Sequence, residues 1–148
     1  MPITHSSAEA SWAGDLAGGS GKVRPGSGAF PELPISWGNR IQRGPGATSP
    51  EELIAAAHAG CFAMAFSNEL AKAGHPPEQV TVGASVAFET GRPDGAAISL
   101  IELQVRARVP GIEADEFARH AEAARTGCPV SKALTGVEIR LQASLEGG

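Results

Sequence analysis

The pattern of hydrophobic and polar positions is clearest in the middle of the chain, where it predicts one long helix. Ser49 is placed as an N-cap, Pro50 takes the first helical position, and Glu52 stands where a capping box needs a carboxylate. The next helix breaker is Gly74, which is followed closely by two prolines. The helix is therefore predicted to begin at Pro50 and to run for about 24 residues.

This helix is apolar on every face. Between Leu53 and Phe66 the only polar side chain is His58, and most of the other residues are alanine or glycine. A helix that is apolar all round is expected to be buried, and its small side chains let other backbone come close. We therefore predict that it forms the centre of the fold.

Strands are predicted on both sides of this helix. The first third of the chain has the short, Gly-separated segments of a β-meander, and a hairpin and a final alternating strand follow the helix. A second, shorter helix carries the apolar stripe Phe117, Ala121 and Ala124, and a helical turn follows Pro129. The predicted strands cover residues 8–12, 22–24, 33–41, 80–89, 97–109 and 136–145, and the second helix covers 114–126. The fold class is α+β, in a single domain over residues 1–148.

Composition and charge exclude several functions. Hydrophobic residues make up 42% of the chain, which is enough to bury a core without structural metals or disulfides. No segment has the length of a membrane span, and the N-terminus lacks a signal-peptide pattern, so a cytoplasmic location without membrane contact is expected. The net charge is -4 and the 12 Lys and Arg residues are scattered, which argues against a nucleic-acid partner.

Cys61 lies near the middle of the predicted helix. The charge of the helix terminus is too distant to ionise it there, and burial would raise its pKa. A reactive Cys61 therefore needs a nearby cation, for which a guanidinium is the natural choice. His58 is three residues away on the same helical face and could be this partner, or it could be a hydrogen-bonded core histidine.

Cys128 has a different setting. It directly precedes Pro129, at a candidate helix N-terminus that favours a thiolate. Two thiols in distinct settings suit an attacking role and a resolving role. They could equally be two buried thiols without a redox purpose.

Two motifs carry a family resemblance. The helix motif is Thr48-Ser49-Pro50-Glu51-Glu52-Leu53-Ile54-Ala55-Ala56-Ala57-His58-Ala59-Gly60-Cys61-Phe62, and the second motif is Gly127-Cys128-Pro129-Val130-Ser131. The residues of these two motifs and the separation between them resemble the OsmC/Ohr family of bacterial hydroperoxide reductases. Trp12 and the Pro110-Gly111-Ile112 turn also match the family's pattern. The motifs are closer to the OsmC branch than to the Ohr branch.

The resemblance implies a fold and a function. It implies antiparallel sheets packed around a long buried central helix, in an intertwined homodimer with active sites at the interface and no metal, haem or flavin cofactor. Cys61 resembles the peroxidatic cysteine and Cys128 the resolving one. Arg40, in Trp37-Gly38-Asn39-Arg40, matches the active-site arginine, and Glu51 its carboxylate partner. The expected substrate is an organic hydroperoxide, and the reductant is an external dithiol, often of the lipoyl type in this family.

Helix geometry constrains this set of residues. Glu51 and Cys61 are ten residues apart, or about 15 Å along a straight helix, so they cannot touch within one chain. Arg40 could span most of the gap, the helix could bend, or the site could be completed across the dimer interface. We favour the interface hypothesis.

Other side chains and other functions remain open. Arg43 could replace Arg40, Glu52 is assigned to the helix cap, and the neighbouring Phe62, Met64 and Phe66 could line an alkyl pocket or simply pack in the core. One rival function is a noncatalytic redox sensor or binding module that uses the same disulfide. A second rival is hydrolysis by a Cys-His pair, which would not need Cys128.

Overall fold

The computed structural model describes residues 2–147. The chain divides into two compact units, Met1–Leu53 and Ile54–Gly148. The first is built on a three-stranded sheet, and the second contains a hydrophobic core. The expectation of a single domain stays a prediction.

The first unit contains the predicted meander. Its strands are β1 (Ala8–Ala13), β2 (Ser20–Pro25) and β3 (Leu33–Ile35). They pair antiparallel in the order β1-β2-β3. The sequence prediction is confirmed for the first two strands; β1 is one residue longer than predicted, and β2 has 6 residues where residues 22–24 were predicted.

The third predicted strand, over residues 33–41, is wrong in its second half. Helix α1 (Trp37–Ile41) replaces it. The Ser36 hydroxyl accepts a hydrogen bond from the Asn39 N–H at 3.2 Å and so caps this helix. Because a serine N-cap turns the chain out of the strand, Arg40 lies on a helix rather than on an extended segment.

The long helix α2 (Pro50–Lys72) begins and ends where the sequence predicts. The Glu52 N–H donates to the Ser49 hydroxyl at 3.0 Å, which is the expected N-cap bond. At the other end Gly74 has a φ of +88°, and the His75 N–H donates to the Leu70 carbonyl at 2.8 Å. This pattern is a Schellman motif, and it explains the helix stop.

The expectation that α2 is buried on every face is wrong. Its buried positions form a stripe with four-residue spacing, made of His58, Phe62, Phe66 and Leu70. On another face Ala56, Ala57, Gly60 and Met64 are exposed, and Met64 is 76% exposed. One chain covers a single stripe of the helix, so an apolar face is left open to solvent.

The second unit contains the predicted hairpin and a mixed sheet. Strands β4 (Gln79–Glu89) and β5 (Ala97–Arg108) pair antiparallel, which confirms the hairpin. Strand β6 (Glu138–Leu145) pairs with β5 in parallel, so the expectation of purely antiparallel sheets is wrong here. The physical reason is the helical connection between β5 and β6, because such a crossover brings the chain back in the same direction.

Two helices form this connection. They are α3 (Ala114–Gly127) and α4 (Pro129–Ala133). The predicted stripe of α3 is buried, and Phe117 meets Phe66 edge-on with ring centroids 5.3 Å apart. This packing joins α3 to α2 and thereby places Cys128 opposite Cys61 in the core.

Within residues 2–147 no helix is both long enough and apolar enough to cross a membrane.

Candidate active site

The two cysteines meet in the core of the second unit. Cys61 lies on α2, and Cys128 lies at the junction between α3 and α4. Both are free thiols, and their sulfur atoms are 2.9 Å apart. A disulfide bond is about 2.05 Å long, so a short movement of either side chain is enough to form one.

Cys128 is the more acidic of the two thiols. It is fully buried and is the N-cap residue of α4, and the N–H groups of Val130 and Ser131 in the first turn lower its pKa. Burial alone would raise its pKa, but the hydrogen bond to Cys61 and those from Ser131 and Val130 outweigh it, and the pKa is lowered. The predicted effect of a helix N-terminus on this cysteine agrees with this direction.

Cys61 has the opposite electrostatics. It is partly buried, and burial raises its pKa, as does its hydrogen bond to Cys128. The Val130 N–H acts in the other direction but does not reverse the shift. A Cys61 thiolate at neutral pH therefore requires a cation at the sulfur, as the sequence analysis expected.

His58 does not supply that cation. Its ring is completely buried, and burial lowers its pKa, so it is neutral at pH 7. Its Nε2 atom lies 2.7 Å from the Ser131 hydroxyl. Of the two sequence hypotheses for His58, the hydrogen-bonded core histidine matches this geometry.

Ser131 is a functional candidate that the sequence analysis missed. It is buried, its hydroxyl contacts His58, and it helps to lower the pKa of Cys128. Its position three residues after a cysteine at a helix N-cap is the signal that could have identified it, because N-cap and N3 side chains lie together.

A cavity of about 660 Å³ opens beside Cys61. Small and apolar residues of α2 and α3 form much of its wall, which also includes two polar side chains. The lining residues are Cys61, Met64, Ala65, Asn68, Glu69, Ala123, Ala124, Gly127 and Pro129. Met64 thus belongs to the cavity, whereas Phe62 and Phe66 are buried in the core and do not line it.

Arg40 and Glu51 form an ion pair in the first unit. Helix α1 carries Arg40 and the first turn of α2 carries Glu51. The Arg40 Nε and Nη2 atoms donate to the two carboxylate oxygens of Glu51 at 2.8–3.2 Å, a fork geometry, and Glu51 is only 6% exposed. The predicted partnership of these two residues is present.

Arg40 also lines a second cavity, of about 430 Å³, in the first unit. Its wall is largely aromatic and aliphatic. The lining residues are Trp12, Gly14, Leu16, Ile35, Ser36, Trp37, Arg40 and Pro50. This places the guanidinium at an apolar surface, where its electrostatic effect on a bound group is strong.

Arg43 and Glu52 have structural partners. Arg43 donates to the carbonyl oxygens of Asn39 and Ala47 at 2.8 and 2.9 Å and pairs with Glu52 at 3.2 Å. The Glu52 carboxylate also accepts a hydrogen bond from the Thr48 hydroxyl at 2.7 Å. These contacts hold the loop before α2 in place.

No group of three or more His, Cys, Asp or Glu side chains is arranged to hold a metal ion within the described part of the chain. The expected absence of a cofactor stays a prediction.

Comparison with known proteins identifies the family. The model of the family described as OsmC-like protein matches residues 43–142. Peroxiredoxin OsmC of Escherichia coli is 39% identical over 142 residues, which cover 96% of this chain and 97% of the relative. The chain belongs to the OsmC-like protein family. The prediction of the OsmC branch is confirmed by the same relative.

Solved structures confirm the OsmC-like fold. An organic hydroperoxide resistance protein from Elizabethkingia anophelis has a TM-score of 0.74 at 24% identity, covering 99% of this chain and 100% of its own. The organic hydroperoxide resistance protein OsmC from Legionella pneumophila has a TM-score of 0.73 at 23% identity, covering 97% of this chain and 99% of its own. The fold is therefore α+β, with two small sheets and a long central helix.

Proposed function

We propose that this OsmC-like protein is a thiol-dependent peroxidase that reduces organic hydroperoxides to alcohols and defends the cell against oxidative stress. The Cys61 thiolate attacks the terminal peroxide oxygen of ROOH. The O–O bond breaks, the alkoxide takes up a proton to leave as ROH, and Cys61 becomes a sulfenic acid. Family membership and the name of the Escherichia coli relative, a peroxiredoxin, support this class of activity.

The observation that carries the proposal is the close pair of free thiols, of which Cys61 lines the cavity. With the sulfurs 2.9 Å apart, Cys128 can attack the Cys61 sulfenic acid without rearrangement of the fold. The new S–S bond replaces the S–O bond, and hydroxide takes up a proton and leaves as water. The cycle then needs an external dithiol, such as a lipoyl-type reductant, because the chain has no third cysteine.

The accessibility of the two thiols supports the proposed roles. Cys61 lines the cavity, whereas Cys128 is completely buried. An incoming peroxide therefore meets Cys61 first, although Cys128 is the more acidic thiol. The apolar wall of the cavity favours an alkyl hydroperoxide over hydrogen peroxide.

The cation at Cys61 is proposed to be Arg40, oriented by Glu51 and supplied by a second copy of the chain. The exposed apolar face of α2, formed by Ala56, Ala57, Gly60 and Met64, supports a homodimer, because an apolar face of this kind is normally covered. In such a dimer the guanidinium stabilises the thiolate that burial disfavours.

Steady-state peroxide consumption tests the activity. Cumene hydroperoxide and hydrogen peroxide are each supplied with excess dithiol to the wild type, Cys61→Ser and Cys128→Ser. We expect rapid multiple turnover on cumene hydroperoxide, none in Cys61→Ser, and a single equivalent in Cys128→Ser. If the wild type consumes only one equivalent of peroxide, whatever the dithiol concentration, the protein is a stoichiometric redox sensor and not an enzyme.

Subunit mixing tests the position of Arg40. Cys61→Ser and Arg40→Ala are expected to be inactive alone. Arg43→Ala, whose side chain pairs with Glu52 and with the carbonyl oxygens of Asn39 and Ala47, is the matched control that keeps its activity. If Arg40 acts across the interface, unfolding and refolding an equal mixture of the two inactive variants restores about a quarter of the wild-type activity, because half of the dimers then contain one complete site. If Arg40 acts within its own chain, the mixture stays inactive.

A further inference from the structure

His58 and Ser131 form a buried, hydrogen-bonded pair that has no part in the peroxide chemistry described above. Both side chains are buried, and His58 Nε2 lies 2.7 Å from the Ser131 hydroxyl. A polar pair of this kind in a core needs a reason, since burying it carries a desolvation cost.

The second ring nitrogen of His58 decides the direction of this hydrogen bond. Within residues 2–147 the buried Nδ1 atom has no hydrogen-bond partner. If Nδ1 carried the proton, a buried N–H would be left without an acceptor, which folded proteins rarely tolerate. The proton of the neutral ring therefore belongs on Nε2, and His58 donates to the Ser131 oxygen.

This direction leaves the hydroxyl proton of Ser131 free for another acceptor. Ser131 is the third residue of α4, and Cys128 is its N-cap, so the hydroxyl and the sulfur lie on the same turn. The Ser131 side chain also helps to lower the pKa of Cys128, which requires its hydroxyl to be near the sulfur. The chain of contacts thus runs from His58 to Ser131 and on to the Cys128 sulfur.

We propose that His58 and Ser131 form a positioning relay for the thiol of Cys128. Neutral His58 donates to the Ser131 oxygen and so turns the hydroxyl proton toward the sulfur, which holds Cys128 as a thiolate aimed at Cys61. Neither residue touches the peroxide. The titration of Cys128 needs no peroxide chemistry, but its use in resolving the Cys61 sulfenic acid rests on the proposed function.

The other groups around Cys128 do not account for this arrangement. Cys61 faces it from α2 at 2.9 Å, and the N–H groups of Val130 and Ser131 face it from α4. On α3 the nearest charged side chain in sequence, Arg125, is paired with Glu122. In the absence of Cys61, the hydroxyl of Ser131 is therefore the side-chain donor whose removal is expected to change the thiol.

The decisive experiment is a titration of Cys128 alone. In a Cys61→Ala background, the ultraviolet absorbance of the thiolate is followed against pH for the parent and for Ser131→Ala, His58→Leu and His58→Gln. Ser131→Ala is expected to raise the midpoint by about one pH unit, because a hydrogen bond to the charged form is lost. His58→Leu raises it in the same direction, and His58→Gln, whose amide retains a donor, raises it less than half as much as His58→Leu.

Ser49→Ala is the matched control. It also removes a buried, hydrogen-bonded hydroxyl, but one that caps the start of α2, and it is expected to lower stability without moving the midpoint. An unchanged midpoint in Ser131→Ala overturns the relay. If the midpoint shifts in Ser131→Ala but not in His58→Leu, His58 does not belong to the relay. If His58→Leu and His58→Gln shift the midpoint equally, His58 does not act as a hydrogen-bond donor. Should His58→Leu not fold, His58→Asn replaces it, because its shorter amide does not reach Ser131.

A second measurement places the relay in the cycle. With Cys61 present, one equivalent of cumene hydroperoxide is added, and sulfenic acid and disulfide are quantified by mass spectrometry after rapid quenching. Ser131→Ala should slow disulfide formation at neutral pH, by up to about tenfold, because the thiolate fraction of Cys128 falls, while sulfenic acid forms no more slowly than in the wild type. Equal slowing of both steps overturns the assignment to resolution. If neither sulfenic acid nor disulfide forms in the wild type, the peroxidase proposal fails, while the titration still decides the relay.

Discussion

At the scale of single residues, the two thiols differ through what surrounds each sulfur. Cys128 is buried, but Cys61 and the first turn of α4 lower its pKa. Cys61 lies in the middle of α2, where burial and Cys128 raise its pKa. The same residue type thus has two reactivities, and Cys128 loses its proton at a lower pH than Cys61.

Removal of Cys128 tests this coupling. Two interacting thiols titrate in two steps that belong to the pair. In Cys128→Ala, Cys61 is expected to titrate in one step at a lower pH than the upper step of the wild type, because the interactions with Cys128 that raise its pKa are gone. Thiolate absorbance against pH measures both. The exposed Ser85→Ala serves as control and should keep the two wild-type steps; a single step that coincides with the upper one contradicts the coupling.

His58 makes the stability depend on pH. Its folded pKa is lowered below 6.5, so the unfolded chain binds the proton more readily than the folded chain. The stabilising contribution of the neutral ring is complete above pH 6.5 and is lost as the pH falls toward the folded pKa. Urea unfolding should show up to about 1.4 kcal/mol more loss per pH unit in the wild type than in His58→Gln between pH 6.5 and 5. Equal slopes contradict this, and exposed His5→Gln should match the wild type.

At the scale of elements, α2 combines two requirements. Its buried stripe anchors the core, and the same helix carries Glu51 in its first turn and Cys61 near its middle. The strong cap at Ser49 and the Schellman motif at Gly74 fix both ends, which sets the helical phase of every residue between them. A change in that phase would turn Cys61 away from Cys128.

Phe66 is the core residue whose loss should cost most. It is fully buried, and its ring lies 5.7 Å from Phe62 and 5.3 Å from Phe117. Phe66→Ala is expected to lower the free energy of unfolding by about 3–5 kcal/mol, because the cavity cannot collapse between two helices. Urea denaturation at one fixed protein concentration measures it. Ile3→Ala, at a residue 78% exposed, should change stability by less than about 0.5 kcal/mol; a similar loss in both variants contradicts the packing argument.

At the scale of the whole molecule, the chain leaves apolar surface uncovered. The face of α2 formed by Ala56, Ala57, Gly60 and Met64 is exposed, and all six residues of β1 are exposed in the first unit. A single copy of the chain therefore leaves apolar side chains of α2 exposed to solvent. The proposed homodimer supplies the missing cover.

A charge on the exposed face of α2 tests the dimer. Ala57→Glu places a carboxylate on that face without altering the core, and it should convert a wild-type particle of twice 15.1 kDa into a monomer. Light scattering after size-exclusion chromatography measures the mass. Thr81→Glu, on the exposed side of β4, is the control and should leave the mass unchanged. If Ala57→Glu is still a dimer, the interface does not lie on this face of α2. If the wild type is a monomer, the proposed dimer is wrong.

The sequence by itself determined the local structure and the candidate residues. The caps of α2, the hairpin, the stripe of α3 and the alternation of β6 are local patterns, and the structure confirms each of them. The two cysteine motifs also identified the family. These features were predictable because caps, turns and periodicity act between residues that are close in the chain.

Only the tertiary structure decided which distant residues meet. Ser131 beside His58, the parallel pairing of β6 with β5, and the open face of α2 all depend on how the elements pack. An apolar helix pattern is the same whether a face meets its own chain or another, so the sequence could not say which face is exposed. The thiols likewise acquire their unequal pKa values only when folding brings them together, because desolvation and hydrogen bonding are properties of the packed core.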